Sequence, residues 1–302
     1  MQNLTNMQNL TNRAIASNLR QMAETLQLQE ADGFRVRAYA RAADTIDALK
    51  EPVEKILAEG GIEALDDLPG IGRGIAAAIK EMISTGRWSQ LERLKGELEP
   101  ELLFRTLPGV GPEMAARLHN LLDVDTLEAL EAAAHDGRLE SVPGVGPRRA
   151  DAIRIALNER LGHRRVRAAA GASGPGHDPP VDMVLDVDRE YRTKADAGSL
   201  RKIAPKRFNP AGEAWLPVLH TRRGDWDFTA LFSNTKTAHD LGKTGDWVVL
   251  YYHAKAEPER QCTIVTEGRG GYAAGRRVVR GRESECAAYY DRQSSGDSSG
   301  PL

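Results

Sequence analysis

Cysteine is almost missing from this chain: Cys262 and Cys286 are the only two in 302 residues. That excludes a disulfide-stapled framework, and neither stands at a metal-ligand spacing from another ligand-type residue. Both read as reduced, packed thiols. Aromatic residues are scarce and lopsided, since Phe34, Tyr39, Trp88 and Phe104 are the only ones before residue 181. No run approaches the roughly 20 apolar residues of a membrane span. An excess of either charge is also lacking. The net charge is −2, with residues 1–165 at −4 and the remainder at +2. A chain that grips a polyanion by bulk charge is basic, so any such grip must come from placed groups. Residues 1–11 are polar, with Met1–Asn6 written again as Met7–Asn12. They carry no signal-peptide core and are expected to be loose.

One phrase is present three times: Leu68-Pro69-Gly70-Ile71-Gly72, Leu107-Pro108-Gly109-Val110-Gly111 and Val142-Pro143-Gly144-Val145-Gly146. The prolines stand 39 and 35 residues apart, which marks an internal repeat. Each copy leads into a helical run with alanine inside it (Ala76, Ala115, Ala150). Two glycines around one apolar residue permit a tight turn with positive φ, and the apolar residue can plug inward. Pro112 and Pro147 suit a first helical turn. The result is a bend whose backbone amides point out of a helix N-terminus, which suits a phosphate oxygen. Contacts of that kind position a nucleic-acid backbone without reading its bases. Gly70, Gly72, Gly109, Gly111, Gly144 and Gly146 are the candidate amide sites. Arg73, Arg148 and Arg149 are supporting cations. Two arginines in a first turn oppose the helix dipole, a cost a bound phosphate would offset; simple surface placement is the alternative.

Around these bends the spacing predicts an all-α half. An amphipathic helix over Asn12–Gln27 buries Ile15, Leu19, Met22, Ala23 and Leu26. A second, Phe34–Leu49, places Phe34, Ala38, Ala42 and Ile46 on one face and Arg35, Arg37, Tyr39 and Arg41 elsewhere. Pro52–Leu57 follows, stopped by Gly60-Gly61, then Trp88–Leu94, Pro100–Thr106, Thr126–Ala134 and a last helix to about Leu161. The organisation expected is a first hairpin domain over 12–98, two further hairpins over 99–163, and a Gly/Pro/Ala tether over 164–180. An α+β domain with a mixed sheet covers 181–292, and a polar tail covers 293–302.

The stretches Ile15-Ala16-Ser17-Asn18-Leu19 and Phe34-Arg35-Val36-Arg37-Ala38-Tyr39, the hairpins, and Thr85-Gly86-Arg87 resemble the helix-hairpin-helix region of family X DNA polymerases, especially the bacterial type. The resemblance covers about residues 12–161. It implies that the first hairpin unit binds the 5′-phosphate side of a gap, with Arg35 and Tyr39 at positions that help hold that phosphate, while the second grips the primer side. Alternatively Arg35, Arg37 and Arg41 only solvate a helix face. The resemblance further implies a monovalent cation (K⁺ or Na⁺) held by the carbonyls of Leu68 and Ile71, and of Leu107 and Val110; no other cofactor is expected. It departs at the Schiff-base lysine some members use: Ala78 stands there, Gly74 replaces a second common lysine, and Lys80 lies about 200° round the helix from Ala78.

Strands are expected over Trp215–Thr221, Trp226–Phe232, Trp247–His253, Cys262–Glu267 and Arg276–Arg280, with a βαβ unit across Trp226–His253 and a closing helix over Glu283–Tyr290. A polymerase palm does not fit. Gly198-Ser199 and Asp225-Trp226-Asp227 occur, but Asp225 lies 26 positions after Ser199, and no third carboxylate falls within a following strand, since Asp246 precedes one and Glu267 ends one. Three readings remain for this half. His220, Asp225, Asp227, His239, Asp240, His253 and Glu267 could form a metal-dependent nuclease site. Trp226, Trp247, Tyr251 and Tyr252 could stack bases beside Arg222, Arg223, Arg276, Arg277, Arg280 and Arg282. The half could instead engage a protein partner, the whole chain then acting as an interaction scaffold. The reading adopted is a cytoplasmic, nucleoid-associated, non-membrane protein. Its three bends bind gapped, nicked or branched DNA in repair, without polymerase activity.

Overall fold

The computed structural model describes residues 11–161, 178–254, 259–268 and 273–296. Nearly all of the expected loose start and tether lies outside these residues. The N-terminal half consists of α1 (Asn12–Leu28), α2 (Gly33–Ala48), α3 (Val53–Asp66), α4 (Arg73–Thr85), α5 (Ser89–Lys95), α6 (Pro100–Phe104), α7 (Pro112–Leu122), α8 (Leu127–His135) and α9 (Pro147–Leu161). The α1 stripe read from the spacing is buried as expected. Gly61, at φ 73° and ψ −165°, breaks α3 in two, where the glycine pair predicted a stop. Thr11, Asp32 and Thr126 cap α1, α2 and α8 by accepting a backbone N–H in the first turn.

The phase of α2 differs from expectation. Its buried stripe is Arg35, Tyr39, Ala42, Ala43 and Ile46, while Phe34 is half exposed. Steps of four, three and four (35, 39, 42, 46) trace a helical face as well as the apolar set did. What turns it inward is the sheet of the C-terminal half.

That half contains α10 (Val181–Asp196), β1 (Arg201–Ile203), β2 (Leu216–Arg223), β3 (Trp226–Phe232), α11 (Lys236–Asp240), β4 (Val248–Ala254), β5 (Arg260–Thr266), β6 (Arg277–Val279) and α12 (Glu283–Gly296). The strands form one six-stranded sheet in chain order. Every pairing is antiparallel, so the expected parallel βαβ unit and mixed sheet are not found, although the α+β class holds. The physical reason is α11. Its five residues rise only about 8 Å, too little to return the chain along a strand. α12 also runs through Gln293 to Gly296, into the stretch expected to be a tail.

Strand alternation sends two sets of residues to two different cores. Leu216, Val218, Leu231, Val249 and Tyr251 join the helical core of α1, α2, α4 and α5. Leu219, Phe228, Ala230, Val248, Leu250, Tyr252 and Ile264 pack against Val184, Leu185, Val187 and Tyr191 of α10 and Cys286 of α12. A third core is confined to α6–α9 and holds the second and third bends. Both sheet faces are therefore covered. On the outer face the Tyr191 hydroxyl donates to Pro217 O (2.9 Å) and accepts from Phe232 N–H (2.8 Å). The Arg277 guanidinium grips the buried Asp188 carboxylate at 2.7 and 2.9 Å.

The inner face ties the sheet to both helical units. Arg93 pairs with Glu259, which also accepts from Gln90 Nε2 (2.8 Å). Asp123, buried and left-handed at φ 55°, accepts from Ser233 (3.2 Å) and Thr263 (2.9 Å). Gly96 is required twice over at this seam. Its φ is 77°, and a Cβ there would meet Ala204 O at 2.5 Å, while its carbonyl accepts Lys206 N–H at 2.7 Å.

Candidate nucleic-acid interface

The three bends share one geometry. Ile71, Val110 and Val145 donate their N–H to Leu68, Leu107 and Val142 O at 3.0, 3.2 and 2.9 Å, closing a four-residue turn. The first glycine of each, Gly70, Gly109 and Gly144, sits at φ 77°, 75° and 90°, where a side chain is strained. Ile71, Val110 and Val145 are buried, plugging inward as the pattern predicted. Positive φ is confined to the first glycine. Gly72 and Gly111 are extended N-caps at φ −97° and −82°, and Gly146 has no positive φ.

α4 and α7 also lack the side-chain cap that α1, α2, α8 and α11 have. Gly72 and Gly111 offer no side chain to cap α4 and α7, so the leading N–H groups of each helix are left to an outside acceptor. The bends are open: Gly70, Gly109, Gly111, Gly144 and Gly146 are exposed, and Gly72 is half-buried. None is covered by the C-terminal half.

The supporting cations are placed unequally. Arg73 is exposed and lies 3.6 Å from Asp66. Arg148 is exposed. Arg149 Nη1 donates to Gly144 O at 2.5 Å. The sequence reading missed Arg117 on α7, whose Nη1 donates to Pro143 O at 3.2 Å. Two guanidiniums thus stand over the third bend, and Arg117 joins it to the second. No local signal marks Arg117, because its target lies 26 residues away in sequence.

Arg35 and Tyr39 correct the expectation of a 5′-phosphate contact. Both are buried under the sheet. Arg35 Nη1 donates to Thr229 Oγ1 (3.3 Å) and the Tyr39 hydroxyl to Gln90 Oε1 (3.1 Å). His220 completes this cluster between Gln29 Oε1 (2.9 Å) and Thr229 Oγ1 (3.0 Å). Burial, with Arg35 and Arg93 nearby, holds its imidazole well below the ordinary range. Lys80 is half-buried, and its amine is lowered by that burial, while Ala78 is packed inside.

The residues of the nuclease reading do not converge. His220 belongs to the seam just described. His239 stacks on Phe208 and meets Asn234 Oδ1 at 2.6 Å. Asp240 pairs with Lys236, and Glu267 accepts Ala273 N–H. Asp227 and His253 are cross-strand neighbours, with Asp225 at the β2–β3 turn. Among the described residues no three His, Cys, Asp or Glu side chains could hold one metal ion.

The base-stacking reading also fails. Tyr251 and Tyr252 do point to opposite faces, but both faces are covered and both rings are buried. Trp226 packs edge-on against Tyr252, and Arg280 lies over the Trp247 ring. Arg223, Arg277 and Arg282 are paired with Asp186 and Glu190, Asp188 and Asp246, and Glu285.

Comparison with known proteins agrees with the three-bend reading. Residues 10–88 match a helix-hairpin-helix domain and residues 101–159 a SAM-like helix-hairpin-helix tandem. The chain is 32% identical over 142 residues to the DNA polymerase/3′-5′ exonuclease PolX of Bacillus subtilis, covering 47% of this chain and 24% of that protein. It is 31% identical over 105 residues to the Holliday junction branch migration complex subunit RuvA of Syntrophobacter fumaroxidans, covering 34% of this chain and 53% of that protein. The match thus spans about a quarter of one relative and half of the other. The N-terminal half is built of helix-hairpin-helix domains similar to the corresponding region of bacterial PolX.

Proposed function

We propose that the chain binds the phosphate backbone of gapped, nicked or branched DNA through its three bends, as a repair protein without polymerase activity. The observation that carries this reading is the second glycine. Gly111 has an ordinary φ of −82°, and a Cβ at Gly111 or Gly146 meets nothing within 4 Å. Neither strain nor internal crowding calls for glycine there. An approach from outside does, and uncapped amides next to it select an anion. Both relatives are named for work on DNA.

The C-terminal half acts in this reading as a brace. It holds the first hairpin unit through Arg35, Arg93 and Gln90 and the second through Asp123, so the spacing of the bends is preset for a particular DNA shape. The turn carbonyls of Leu68 and Leu107 each accept one N–H. A carbonyl oxygen has a second lone pair, so with Ile71 and Val110 they can also hold K⁺ or Na⁺. Placement is in the cytoplasm, on the nucleoid.

The test is the salt dependence of binding to a gapped duplex. About two phosphates per bend give Z near six, so log K against log salt should fall with a slope of about −5. A slope near −10 would indicate bulk electrostatic gripping, and no binding would favour the protein-scaffold reading. Labelled flap and gapped DNA with Mg²⁺ or Mn²⁺ should stay uncut; cleavage lost in Asp225→Ala and Asp227→Ala would establish the nuclease instead.

A further inference from the structure

The repeated phrase does not supply every cation near the bends. At the first bend the proline carbonyl is held from a flanking helix, because Thr45 Oγ1 on α2 donates to Pro69 O at 2.7 Å. One turn earlier on that helix Arg41 stands beside the first glycine, its Cβ 3.6 Å from where a Gly70 Cβ would lie. The third bend is built the same way from α7. Arg117 Nη1 donates to Pro143 O at 3.2 Å and lies 3.2 Å from the Cβ position of Gly144. In both, a neighbouring helix holds the proline carbonyl and sets an arginine against the first glycine. The second bend differs. Among the described residues nothing beyond the adjoining ones lies within 4 Å of a Cβ built at Gly109 or Gly111. Its helix opens with the acidic Glu113, where α4 and α9 open with Arg73 and with Arg148 and Arg149.

Neither flanking arginine is committed to a carboxylate. Arg41 is exposed, with no hydrogen-bond or ion-pair partner among the described residues. Arg117 is exposed too, and its acidic neighbour Glu113 lies 3.6 Å away and is itself nearly bare. A surface pair of that kind is worth little, so it does not hold the guanidinium back from an anion. Arg20 is the contrast on the same unit, spent on both Asp44 and Asp47. A guanidinium already anchored on a backbone carbonyl is also oriented in advance, so less freedom is lost when it meets a phosphate.

We infer that Arg41 and Arg117 are phosphate-binding residues lent to the first and third bends by neighbouring helices, and that the second bend grips by its amides alone. The inference rests on the DNA-binding reading given above and divides the work within it. At the first and third bends a phosphate meets helix amides on one side and a charge-assisted bond from arginine on the other. Those two grips weaken as salt rises, because a cation that neutralises a phosphate releases a counterion. The second bend, with no cation of its own, keeps its share of the affinity.

The full-length protein is titrated onto a fluorescently labelled gapped duplex between about 50 and 200 mM salt, and each variant is melted alongside. Arg41→Gln and Arg117→Gln should each make the slope of log K against log salt shallower by about 0.9, and the double variant by about 1.8. A loss of about tenfold at the low salt should therefore shrink to about threefold at the high salt. Arg20→Gln, whose guanidinium is already paired, should leave the slope unchanged. Gly111→Ala should lower the affinity by the same factor at both salts. An unchanged slope for Arg41→Gln or Arg117→Gln overturns the inference for that residue, even where its melt has fallen, since that is a structural pin only. Weakening by Gly111→Ala with both arginine slopes unchanged overturns this inference and leaves the DNA-binding reading standing. No binding by the parent overturns both.

Discussion

Replacing Gly111 by alanine separates the stability of a bend from its use. Gly111 is an extended N-cap with open space where a Cβ would go. Alanine there loses unfolded-state entropy, a gain of roughly 0.4–1 kcal/mol, and gives up a better N-cap residue, a cost of similar size. The two nearly cancel, so the melting temperature should move by no more than about 2 °C. A phosphate resting on the α7 amides is different. The new methyl holds it beyond hydrogen-bond range and forfeits charge-assisted bonds of roughly 1.5–3 kcal/mol, or about 10- to 100-fold in Kd. Gly109→Ala is the contrasting control, because its φ of 75° costs about 1 kcal/mol or more of fold stability by itself. Fluorescence anisotropy on a gapped duplex at fixed salt, with a thermal melt of each variant, reads both quantities. Affinity of Gly111→Ala within about twofold of the parent, or a loss matched by its melt, would refute the reasoning.

Two further outcomes probe the brace. Burial pushes the imidazoles of His220 and His253 below their ordinary range. Above about pH 6.5 both states are neutral and the seam is intact; below it the unfolded chain takes up protons that the fold refuses. Stability should therefore fall as the pH drops, by up to about 1.4 kcal/mol per unit for each ring. Burial raises the Asp123 carboxyl, which acts in the opposite sense, so the loss of slope in His220→Gln isolates the histidine contribution in urea titrations. Asp123→Ala leaves the Ser233 and Thr263 hydroxyls without their acceptor and should cost about 3 kcal/mol, read by the same titrations.

Much of the helical half was legible because its signals are local. The α1 stripe, the stop at Gly60-Gly61 and the inward plugs Ile71, Val110 and Val145 follow from spacing and glycine chemistry. The seam was not, because its partners lie far apart in sequence. Arg35 and Thr229 are 194 residues apart, and an arginine read without its partner looks like surface. The same blindness hid Arg117, and it let Tyr251 and Tyr252, which alternation sends to opposite faces, be read as base-stacking rings. Alternation was right, but it does not reveal that the second face is covered. The α10 helix went unread although Val181, Val184, Leu185, Asp188 and Tyr191 sit at helical spacing. The antiparallel return from β3 to β4 depended on how short α11 is, which its sequence leaves open.

The most direct measurement is an amide titration of the isotopically labelled full chain with a gapped duplex, followed by transverse-relaxation-optimised NMR. The N–H resonances of Gly72, Arg73 and Gly74, of Gly111 and Glu113, and of Gly146 and Arg148 should shift together and saturate, while those along β4 stay fixed. Saturating shifts elsewhere, with these seven unmoved, would contradict the claim that the glycine bends are where DNA is held.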